Sequence, residues 1–113
     1  MTKESSIFLE HILRSINKID LSLKDIQKKN FLKNEDLSDA IIRRLEIIGE
    51  ATKNIPLSFR EKYLNIEWQK IAGLRDKLIH HYFGVDLESI WKVIKDDLPK
   101  LKQDIKEILK NTK

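Results

Sequence analysis

Apolar residues recur every three to four positions along nearly the whole chain, and that period restricts it to packed helices. From about Ser6 to Lys28 the series Ile7, Phe8, Leu9, Ile12, Leu13, Ile16, Ile19, Leu23 and Ile26 predicts an amphipathic helix, with Ser5 or Ser6 as its cap. Phe31 to Asp36 reads as a connection. Asn34 or Asp36 then caps a second helix whose stripe is Leu37, Ala40, Ile41, Leu45, Ile48 and Ala51, widened by Ile42 and Ile47. Gly49 inside it costs roughly 1 kcal/mol against Ala, which suggests a close helix approach, and Pro56 stops the element near Asn54. Ser58 to Tyr63 reads as a short capped turn or helix. Trp68, Ile71, Ala72, Leu74, Leu78 and Ile79 mark the next helix, ending near Tyr82 or Phe83 with Gly84 as a left-handed cap. Asp86 caps a last stripe from Leu87 to Ile108, which Pro99 either kinks or divides. No strand-like alternation interrupts the pattern. The expectation is one all-α domain over residues 1–113, an antiparallel bundle of four to five main helices.

The densest chemistry lies in Ala72-Gly73-Leu74-Arg75-Asp76-Lys77-Leu78-Ile79-His80-His81-Tyr82-Phe83-Gly84, which holds two of the three histidines and two of the three glycines. On a regular helix Arg75 and Tyr82, seven apart, fall nearly on one face, whereas His80 is five from Arg75 and points well away from it. One copy of the chain is therefore a poor place to bring Arg75 and His80 together. Two copies about a two-fold axis present the same patch twice and can join both pairs in one cleft.

Composition removes several chemistries. With no cysteine there is neither a thiolate nucleophile nor a disulfide framework. His80 and His81 are adjacent, whereas a helical zinc site uses i, i+4 spacing. No nucleophile elbow or glycine-rich phosphate loop is present. A net charge of +4, from 22 basic and 18 acidic residues, permits a nucleic-acid partner without demanding one, and Lys24, Lys28, Lys29 and Lys33 read as a solvated face. His11 stands alone between apolar positions 8 and 12 and reads as a surface or boundary residue. The absence of a long apolar run and of a signal sequence leads to the expectation of a cytoplasmic, membrane-free protein. What remains is metal-free proton transfer: histidine titrates near 6.5, and arginine grips a phosphate bidentately. Spacing alone leaves a second reading open, in which Arg75, His80 and Tyr82 merely finish a helix.

The segment Arg75-Asp76-Lys77-Leu78-Ile79-His80-His81-Tyr82 has the form R-x4-H-x-Y. With its flanks from Ile71 to Asp86, the upstream Leu45-Glu46-Ile47-Ile48-Gly49-Glu50-Ala51 and the downstream Trp91 to Pro99 region, it resembles the HepT toxins, the DUF86 branch of the HEPN superfamily. The resemblance spans nearly the whole chain. It implies a HEPN-type bundle that forms a homodimer through the motif face and cleaves RNA without metal or cofactor. Arg75 and His80 match the catalytic positions, and Asp76 matches the supporting polar residue. It further implies an MntA-like nucleotidyltransferase antitoxin that silences the toxin by transferring AMP to Tyr82. A rival expectation is a non-catalytic module that binds nucleotide, or presents a substrate, beside such a nucleotidyltransferase.

Overall fold

The computed structural model describes residues 2–80 and 86–111, apart from the side chains of Arg75, Lys77, Ile79 and His80. These residues form seven α-helices and one π-helical turn: α1 (Lys3–Ser22), α2 (Lys28–Lys33), α3 (Glu35–Lys53), α4 (Leu57–Arg60), α5 (Trp68–His80), α6 (Leu87–Lys92), the π turn (Val93–Asp97) and α7 (Leu98–Asn111). Among the described residues there is no strand, and the fold is the all-α helical bundle that the apolar period predicts.

The stripes meet in one core. Leu9, Ile12, Ile16 and Ile19 of α1, Ile41, Leu45 and Ile48 of α3, and Leu98 and Ile105 of α7 are all essentially inaccessible to solvent. Each such side chain stabilises the fold by about 1.5–3 kcal/mol relative to exposure. α3 packs against both α1 and α5, which makes it the central element. α1 and α7 run antiparallel, as Asp20 near the end of α1 takes a 2.8 Å contact from Lys102 near the start of α7. Asn34 caps α3 by accepting a hydrogen bond from the Leu37 N–H at 3.0 Å, and Asp86 caps α6 through the Glu88 N–H at 3.0 Å. No helix among the described residues is long and apolar enough to cross a membrane.

Three expectations change. The first helix starts at Lys3 with Thr2 as its cap, and it stops at Ser22 rather than near Lys28. Asp25 takes the left-handed conformation at φ 63°, which aspartate tolerates better than most side chains, and the chain turns there. Second, Phe31 belongs to α2 and not to a connection. It is fully buried, with its ring 5.3 Å from that of Trp91, because the turn at Asp25 swings a short helix across the ends of α3 and α6. Third, the predicted stripes include exposed positions: Ala40 lies outside the core and Ile7 remains 40% exposed. Ser38 and Thr52 are buried instead, satisfied by the carbonyls of Glu35 at 3.0 Å and Ile48 at 2.8 Å. Gly49 is buried, and Pro99 lies in the first turn of α7 directly after the π turn, within a backbone that stays helical from Leu87 to Asn111.

Candidate active site

α5 carries the motif, and its near end is fixed by aromatic packing. Trp68 donates from Nε1 to the Tyr63 carbonyl at 2.9 Å, and its ring stands edge-on to Phe59 at 6.4 Å between centroids. Phe59 in turn lies 5.0 Å from Tyr63. Ile71, Ala72, Leu74 and Leu78 follow as the buried side of the helix. The start of α5 is thus held by three rings and its length by the core, which determines the direction in which the later turns face.

The backbone is α-helical without interruption from Trp68 through His80. Positions 75 and 80 therefore fall roughly 140° apart around one axis, and the separation expected of a regular helix holds within a single chain. Gly73, Asp76 and position 80 share a face by i, i+3, i+7 spacing, and that face lies opposite the buried one. Tyr82, the predicted end of the helix near Tyr82 or Phe83, and the Gly84 cap lie outside the described residues.

Asp76 is half-exposed and engages a residue that sequence reasoning did not single out. Lys53, in the last turn of α3, places its Nζ 2.8 Å from both carboxylate oxygens of Asp76. The two residues are 23 positions apart, so no local pattern reveals the pairing. Gly73 is the second feature that the motif alone did not mark: a Cβ built on it meets no atom within 4 Å. Crowding within the described part of the chain is therefore not what asks for glycine there.

A cavity of about 50 Å³ lies elsewhere, between α5 and the segment from the π turn into α7. Ile66, Ile71, Leu74 and Leu101 line it. Lys70 and Asp97 line it as well, and the hydrogen bond that Lys70 donates to Asp97, together with the Asp97 charge, raises the Lys70 ammonium above its ordinary 10.5. This cavity faces the flank of α5 away from Asp76, so it is not a cleft of the motif. His11 is exposed on α1, as expected, and lies beside Arg43 and Glu46 of α3 in a shallow groove. Lys24, Lys28, Lys29 and Lys33 are all exposed, in keeping with a solvated face.

The family model described as "Ribonuclease HepT-like" matches residues 12–108. A protein of Caldanaerobacter subterraneus subsp. tengcongensis named "Putative RNase" is 47% identical over 106 residues, covering 94% of this chain and 95% of that one. The "Probable ribonuclease HepT" of Thermococcus cleftensis is 42% identical over 110 residues, covering 97% of this chain and 100% of that one. The "Gamma-glutamylcyclotransferase and putative RNase" of Methanocaldococcus jannaschii is 51% identical over 109 residues, 96% of this chain, but the match spans only 49% of that protein. No solved structure matches the chain.

Proposed function

The chain belongs to the HepT-like ribonuclease family, and on that premise we propose that it is the toxin of a toxin–antitoxin pair, a metal-independent endoribonuclease whose site is shared between two copies. The observation that carries the reading is the unbroken helix from Trp68 to His80, which sets positions 75 and 80 on different sides of α5 within one chain. A two-fold axis along the motif face lets Arg75 of one copy meet His80 of the other. Gly73 supports the same reading, because it leaves the face of position 80 low where a second copy would approach.

In this mechanism the RNA 2′-hydroxyl oxygen attacks the adjacent phosphorus and the bond to the 5′ oxygen breaks, leaving a cyclic phosphate and a 5′-hydroxyl. His80 takes the proton of the 2′-hydroxyl or delivers one to the departing oxygen. Arg75 holds the non-bridging oxygens and offsets the charge that grows on them. Asp76 supports the site by orienting Arg75 or His80. Silencing follows from modification by an MntA-like nucleotidyltransferase antitoxin. The Tyr82 oxygen attacks the α-phosphorus of ATP, pyrophosphate leaves, the phenolic proton passes to solvent, and the bound AMP fills the anion site beside Arg75.

Mixing two inactive variants tests the composite site. Arg75→Ala and His80→Ala are each expected to abolish cleavage of RNA in the presence of chelator. Co-refolded in equal amounts, they should regain about a quarter of wild-type activity, since half the dimers are mixed and each mixed dimer keeps one intact site. No recovery from folded, mixed dimers places both residues in one copy and sinks the shared site. Full activity of folded His80→Ala sinks the ribonuclease mechanism itself.

A further inference from the structure

The cavity between α5 and the start of α7 is walled by buried Ile71, Leu74 and Leu101. Six charged residues line it as well: Glu67, Asp96, Asp97 and Asp104 against Lys70 and Lys100. Lys70 pairs with Asp97 at 3.2 Å, and Lys100 with Asp104 at 2.9 Å. Glu67 and Asp96 are exposed and form no ion pair among the described residues. Four carboxylates against two ammonium groups leave this lining at −2, on a chain whose total is +4. The π turn delivers Asp96 and Asp97 to this place, and such turns inside helices occur frequently at functional sites.

Size and charge select the occupant. A space of about 50 Å³ admits one aliphatic side chain, whereas pockets for cofactors and drug-sized ligands run to about 300–1,000 Å³. RNA phosphates approaching it meet two carboxylates without an ion pair, and like charges repel. A shallow depression beside the cavity shares Glu67 and Lys70 with it and bears Leu57 and Leu64, 69% and 81% exposed. Exposed apolar surface rimmed by charged residues marks protein-interaction sites. We propose that this surface docks a basic segment of a partner protein, which seats one aliphatic side chain in the cavity and sets lysines or arginines against Glu67 and Asp96. The cavity lies on the flank of α5 away from Asp76, so such a partner leaves the motif face uncovered. The inference does not depend on the ribonuclease reading.

The probe is a synthetic peptide with one leucine between two pairs of lysines, titrated into the isotope-labelled full chain and followed by NMR. The amides of Glu67, Lys70 and Leu101 should shift saturably. Alanine in place of the leucine should weaken binding at least about tenfold, because the apolar anchor is lost. Glutamates in place of the lysines should abolish it. Glu67→Gln combined with Asp96→Asn should weaken the leucine peptide at least about threefold, within the range of exposed ion pairs. Both substitutions lie on the surface, so folding is retained. Val93→Phe, which fills the cavity from the π turn, should cost at least about tenfold; should it fail to fold, the surface pair and the altered peptides still decide. The inference is overturned if the alanine or glutamate peptide binds as tightly as the leucine peptide. It is equally overturned if the Glu67 and Asp96 substitutions leave affinity unchanged, or if the shifts fall away from the cavity. Shifts at these amides that follow protein concentration without peptide would assign the surface to a second copy. Shifts produced by an RNA oligonucleotide would assign it to nucleic acid, and either result removes the protein partner.

Discussion

Arg60 donates from Nη2 to the carbonyl oxygen of Thr52 at 2.7 Å, and so closes the last turn of α3 from outside the helix. Its Nε reaches the Ile55 carbonyl at 3.1 Å. Pro56 prevents α3 from continuing; the Thr52 carbonyl already accepts from the Ile55 N–H at 3.1 Å, and the guanidinium fork of α4 adds a charged donor to it and one to the Ile55 carbonyl. Arg60→Ala should cost about 1.5–3 kcal/mol, the range for hydrogen bonds to a charged group. Urea denaturation followed by helical circular dichroism measures it. Arg60→Lys should recover less than half of the loss, because one ammonium cannot reproduce the fork.

Phe31 joins α2 to α6 through its contact with Trp91. Being fully buried, Phe31→Ala should destabilise the chain by about 3–5 kcal/mol, with Phe31→Leu costing clearly less. Tryptophan emission should also shift, since the Trp91 ring loses its neighbour. A change below about 1 kcal/mol would mean that α2 does not dock as described.

The Lys70–Asp97 pair predicts a pH response with a definite sign. The hydrogen bond and charge of Asp97 hold Lys70 above 10.5 in the folded chain. The stabilisation is therefore fully present below that value and is lost as pH rises through the raised one. Asp97→Asn should bring the Lys70 titration back towards 10.5, read by NMR of the lysine side-chain carbons. An unmoved titration would show that the contact at 3.2 Å does not persist in solution.

Gly73 separates needs within a chain from needs between chains. Added atoms meet nothing in the described chain, so Gly73→Leu should leave urea stability unchanged or raise it by up to about 1 kcal/mol. In a shared site the same side chain projects into the second copy, and RNA cleavage should drop at least about tenfold from overpacking. Unchanged cleavage by Gly73→Leu would remove this face from the proposed interface.

Tyr82 is the proposed acceptor of AMP. Co-expression with the nucleotidyltransferase antitoxin and ATP should add the mass of AMP to the Tyr82 peptide, and Tyr82→Phe should abolish that addition while leaving cleavage of RNA within about threefold. Equal modification of Tyr82→Phe would assign the acceptor elsewhere.

Local sequence determined much of this protein. The three-to-four-residue period gives the main helices and most of the core, and Asn34 and Asp86 mark helix starts because a short acceptor before an apolar run satisfies free N–H groups. The R-x4-H spacing gives the candidate site and, with its flanks, the family resemblance. Tertiary structure decided what depends on residues far apart in the chain. α1 ends at Ser22 although no glycine or proline stops it; the chain turns at Asp25, and α2 then places Phe31 against Trp91, a contact between residues far apart in the chain. Arg60 finds Thr52 and Lys53 finds Asp76 only after α3 and its neighbours have packed. Periodicity records which face of a helix avoids water, but a charge partner is chosen by the distance between two packed helices, and no local spacing encodes that distance.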